Sequence, residues 1–126
     1  MRILKSFLIV GALLSASYLS YASDVGDQVK KSMKMDYRTE TDIARDANRS
    51  PVEALEFMGF RDDMKVIEYF PAGGWYTKII APILQDKGEL YLIDSERTFS
   101  RWKELNDHPA IKKAKKILIE SAWNRE

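Results

Sequence analysis

The chain has 126 residues, with 20 Lys and Arg against 19 Asp and Glu, one histidine and no cysteine. A near-neutral balance argues against a protein that holds nucleic acid by neutralising phosphates. The missing cysteines exclude disulfides, a thiolate nucleophile and cysteine-bound zinc, and a lone His108 excludes a multi-histidine metal site within one chain.

Residues 1–22 have the layout of a secretory signal peptide: Arg2 and Lys5, an apolar run from Phe7 to Ala16, then "SYA" ending at Ala22. Cleavage there predicts an exported protein, periplasmic or secreted; if uncleaved, this segment is the one expected membrane contact. Removing 22 of 126 residues leaves 104, one small domain, and losing two basic residues turns the net charge to −1. Residues 23–41 are polar without a sustained period and are predicted to be a linker or irregular arm. Residues 42–126 then form the predicted α/β domain.

Helical character begins near Asp42. "SPVE" predicts a restart with Ser50 as N-cap, Pro51 at the first helical position and Glu53 completing a capping box. Gly59 predicts a left-handed helix end, with Phe60 folding back onto Leu55. "MKVIEYF" (Met64 to Phe70) is a β-branched and aromatic run suited to a strand. A helix follows over Trp75 to Gln85, with a kink predicted at Pro82. Asp86 to Gly88 is a turn, and "ELYLID" (Glu89 to Asp94) is a second strand. Ser95 to Asp107 is predicted as one helix that buries Phe99, Trp102 and Leu105 and is stopped by Pro109. "KILIE" (Lys116 to Glu120) is a third strand, preceded by a lysine-rich stretch expected to be a solvated face. Strand alternating with helix predicts an open parallel sheet.

Ligands of such sheets bind beyond the carboxyl ends of the strands, where a glycine turn lets a ligand approach the main chain. Gly73 and Gly74 stand in that turn. Asp94, 20 residues on, sits where an acid accepts from a ribose diol, and Glu68 ends the first strand as a second acceptor. A purely structural turn, with the acids as strand caps, is the competing reading. The turn lacks a full GxGxxG and no phosphate-binding lysine follows it, which weighs against other nucleotides.

The stretch "RDANRSPVEALEFMGF…MKVIEYFPAGGWYTKIIAPIL…GELYLID" resembles a family of exported, predicted S-adenosylmethionine-dependent methyltransferases, over roughly Ala44 to Glu120. The resemblance implies a Rossmann-like fold of the methyltransferase type. It implies that Glu68, Gly73 and Gly74 line the methionine and ribose part of S-adenosylmethionine, with Asp94 on the ribose hydroxyls. Ala72 replaces the first glycine of the family's loop, and Trp75 and Tyr76 match its aromatic pair. By the family pattern the substrate-facing residues would sit after a fourth strand, whereas the sequence stops after the third, so the resemblance implies a truncated, N-terminal half. Its first strand would then keep an unpaired edge, a route to self-association.

Overall fold

The computed structural model describes residues 24–119; the signal-peptide reading falls outside them. Residues 24–32 form a first helix, α1. Then come α2 (Glu40–Arg49), α3 (Pro51–Phe57), β1 (Lys65–Tyr69), α4 (Thr77–Leu84), β2 (Glu89–Asp94), α5 (Glu96–Ser100), a 3-10 turn (Lys103–Asp107), α6 (Pro109–Lys113) and β3 (Lys115–Leu118). The three strands form one parallel sheet in the order β1-β2-β3, with Ile67 opposite Tyr91 and Ile93 opposite Ile117. The predicted α/β parallel architecture is therefore present, in the form of a small three-stranded sheet with helices.

One face of the sheet carries the core. Leu90 and Leu92 from β2 pack with Ile79, Ile80, Ile83 and Leu84 of α4 and with Ala110 and Ile111 of α6. The helix α4 is apolar on almost every side and Pro82 sits inside it. The other face is uncovered: Ile67 is 65 % exposed, Tyr69 60 % and Ile117 45 %. This alternation follows from the two-residue period of a strand, which sends neighbouring side chains to opposite faces. The sharp turn between α4 and β2 requires Gly88, where a Cβ would lie 2.7 Å from the carbonyl oxygens of both Asp62 and Met64.

Several local expectations are corrected. The stretch 23–41 is no linker: α1 buries Val25 and Val29 in the core and lies so close to α3 that a Cβ on Gly26 would sit 3.5 Å from Val52. Ser50 makes no side-chain cap; it takes φ 40°, ψ 61° and its N–H closes α2 on Asp46. The capping box lies earlier, where Thr39 and Asp42 exchange bonds at the start of α2. The long helix predicted after β2 breaks into α5 and the 3-10 turn, although Phe99 and Trp102 are buried as its spacing required. Pro109 begins α6 instead of only ending its predecessor, since a proline is well suited to a first helical turn. Gly59, by contrast, takes φ +64°, while its own N–H reaches Glu56 and the Phe60 N–H reaches Leu55, the predicted left-handed helix end.

Candidate functional site

The carboxyl ends of β1 and β2 lie side by side, with Tyr69 paired to Ile93. The turn that leaves β1 is tightly bent: Phe70, Ala72 and Gly74 have φ of 55°, 51° and 74°. Gly73 is not among the residues with positive φ, and a Cβ there would meet nothing within 4 Å. Gly74 combines its left-handed backbone with close packing, since a Cβ would lie 3.3 Å from both Trp102 and Leu105. The two glycines therefore differ: one leaves open space, the other permits a bend and a close contact.

Asp94, at the end of β2, is 6 % exposed. Its Oδ2 accepts the Ala72 N–H at 3.3 Å, and its Oδ1 accepts the Ser95 N–H at 2.7 Å and the Thr98 hydroxyl at 2.8 Å. Burial alone would raise this carboxyl, but the donors from Ser95, Thr98 and Ala72 outweigh it and hold it below the ordinary carboxylate value. The Ala72 carbonyl is fixed from the other side by the Trp102 indole N–H at 2.7 Å. One backbone unit of the turn is thus clamped between β2 and the segment after α5.

Glu68 lies one strand over and bonds away from Asp94. Its Oε2 accepts the Thr77 hydroxyl at 2.5 Å, at the start of α4. Burial pushes its carboxyl up to about 7, while the Thr77 hydroxyl and N–H pull in the opposite direction. A carboxyl of this kind can exchange a proton near neutral pH.

A network that sequence patterning did not reveal forms the adjoining wall. Lys78 Nζ and Asp42 Oδ2 are 2.6 Å apart, with both side chains buried. Burial would raise the Asp42 carboxyl, yet its bonds from Lys78 and Thr39 keep it below its ordinary value. Arg38 is 6 % exposed and grips Asp46 with two bonds of 2.7 and 2.8 Å. Trp75, one of the aromatic pair of the resemblance, is a core residue: its indole N–H reaches the Asp42 carbonyl at 2.9 Å, and the Arg49 guanidinium lies 4.7 Å from its ring centroid. Tyr37 donates to the Lys78 carbonyl at 2.8 Å and meets His108 edge-on at 4.3 Å between centroids. Ion pairing of Asp46 was expected from its own helix, with Arg45 and Arg49; its partner is instead Arg38, and the pairing of Asp42 with Lys78 had no sequence signal.

A cavity of about 710 Å³ opens between this wall, the glycine turn and the chain after β2. Ala72 and Gly73 line it, together with Tyr37, Lys78, Thr98 and Arg101 among others. Its size falls in the range of small-molecule sites, roughly 300–1,000 Å³. Glu68, Gly74 and Asp94 are not among its lining residues; Asp94 reaches it only through its bonds to the lining residues Ala72 and Thr98. No cluster of three or more metal-ligating side chains occurs among the described residues. Nor, among them, is any helix long and apolar enough to cross a membrane.

No family model, curated protein or solved structure matches this chain. Any functional reading therefore rests on the motifs and on the geometry just described.

Proposed function

We propose that the chain is the cofactor-binding part of an S-adenosylmethionine-dependent methyltransferase, with Glu68, Ala72, Gly73, Gly74 and Asp94 forming the cofactor corner. One observation carries this reading: the Asp94 carboxylate holds the Ala72 N–H, uniting the glycine turn of β1 with the acid ending β2 beside a cavity of ligand size. Oδ2 receives a single donor here and retains capacity to accept a ribose hydroxyl. Methyl transfer from a sulfonium is a displacement governed largely by alignment, so these residues would act by fixing the donor. The residue that receives or prepares the methyl acceptor is not assigned. Calorimetric titration of the purified chain with S-adenosylmethionine tests the proposal: saturable binding that weakens on Asp94→Ala supports it, and absence of binding overturns it.

A second reading is favoured by the same carboxylate. Asp94 already accepts three donors from its own chain, and Gly74 serves close packing against Trp102. In that case the turn is structural and the domain is a non-catalytic exported one. The titration separates the two.

Export by the N-terminal segment stays part of the proposal and is tested by the mass of the exported protein. Association of two copies, expected through the unpaired edge of β1, the outer strand in the order β1-β2-β3, is a further part, and the uncovered sheet face beside that edge adds exposed apolar side chains. Ile67, Tyr69 and Ile117 of that face are exposed, as is Phe70 just past the end of β1. At one end of that face Glu89 lies between Lys65 at 3.1 Å and Lys115 at 2.6 Å.

A further inference from the structure

The cavity beside Gly73 carries an excess of positive charge that the cofactor reading leaves unused. Its charged lining consists of Lys78, Arg101, Lys103 and Glu104. Lys78 is cancelled by its buried partner Asp42, so Arg101 and Lys103 against Glu104 leave an excess of one positive charge. Arg101 and Lys103 are both exposed, and among the described residues neither has a hydrogen-bond or ion-pair partner for its side chain. Lys103 also sits at φ 39°, a left-handed conformation that a residue with a Cβ adopts at a cost of about 1–2 kcal/mol. The bend falls directly after Trp102, whose indole is tied to the Ala72 carbonyl at 2.7 Å. Two cations from the segment after α5 are thus brought to the side-chain-free stretch of the turn, although they follow Gly73 by almost 30 positions in the sequence.

We propose that this cavity binds a phosphate monoester on an organic body, with Arg101 and Lys103 as its counter-charges. Guanidinium and ammonium groups supply donors to all three terminal oxygens, and Arg suits the planar two-bond contact with a phosphate. The volume exceeds what inorganic phosphate needs and leaves room for an organic body beside the two cations. S-adenosylmethionine carries no phosphate, so the phosphorylated molecule is a second ligand. Its assignment as the methyl acceptor rests on the methyltransferase reading, whereas the phosphate site itself does not.

The test measures binding of inorganic phosphate, AMP and adenosine to the full chain by calorimetry at low salt, and of S-adenosylmethionine separately. AMP is expected to bind at least tenfold more tightly than adenosine, and inorganic phosphate only weakly. In the double variant Arg101→Gln/Lys103→Gln the advantage of AMP over adenosine should disappear, with the circular dichroism spectrum unchanged, since both side chains are exposed. Added salt should reduce the same advantage. Equal affinity for AMP and adenosine, no AMP binding, or an advantage that survives the double variant overturns the proposal. Inorganic phosphate binding as tightly as AMP would mean a free-anion site and overturns the organic ligand. AMP binding without S-adenosylmethionine binding would retain the phosphate site and remove the methyltransferase reading; the reverse result would do the opposite.

Discussion

The Asp94 carboxylate and the Ala72 N–H meet at 3.3 Å across 22 residues of sequence, joining the ends of two parallel strands. Asp94→Ala removes the acceptor for three donors in a buried place, so a stability loss of about 2–4 kcal/mol is expected. Chemical denaturation of both forms measures it. The folded carboxyl titrates below its ordinary value, so its contribution is full above the unfolded carboxylate range and is lost as pH falls toward the folded value. The variant should lack that part of the acid sensitivity.

Ala72 and Gly74 should respond in opposite directions. Ala72 has φ 51°, which glycine adopts freely, so Ala72→Gly is expected to change stability by no more than about 1 kcal/mol and in the stabilising direction. Gly74→Ala places a Cβ 3.3 Å from Trp102 and Leu105 at φ 74° and should cost about 1–3 kcal/mol. Urea midpoints of the two variants check the contrast.

Glu68 gives a signature near neutral pH. Its folded value of about 7 lies above the ordinary 4.5, so the native state binds the extra proton between those values. Stability therefore declines as pH rises through that window. Glu68→Gln should flatten this part of the profile, read from melting temperatures at several pH values. An unchanged slope would assign the titration to another group.

The Lys78–Asp42 pair fastens α2 to α4 inside the protein. Lys78→Met strands a buried carboxylate and should cost about 3–5 kcal/mol. Adding Asp42→Leu to that variant should recover part of the loss, because no unpaired charge is then buried. Comparing the two variants by denaturation separates charge pairing from packing.

Self-association should depend on the uncovered sheet face. Sedimentation across a hundredfold range of concentration is expected to show a dimer that dissociates on dilution. Ile67→Lys together with Ile117→Lys, both on exposed positions, should leave a monomer of unchanged secondary structure. A monomer throughout for the parent chain would remove this prediction.

The order of strands and helices was legible in the sequence because each element carries its own period and its own punctuation. Glu89 to Asp94 alternates as a strand must, and Gly59 followed by Phe60 ends a helix in one local step. Ser50 misled because "SPVE" satisfies a capping pattern, while the closure of α2 onto Ser50 claims the same backbone. Residues 23–41 misled because Val25 and Val29 are too few to display a period alone, and gain their meaning only against the rest of the core. The glycine turn and both acids could be named in advance, but not that Asp94 would face Ala72 while Glu68 turns to Thr77. Local periodicity thus determined which segments are strands and helices. Which charges are paired, which glycine is open and which cations reach the turn depended on contacts between residues distant in sequence, and those are fixed only when the sheet and its helices pack.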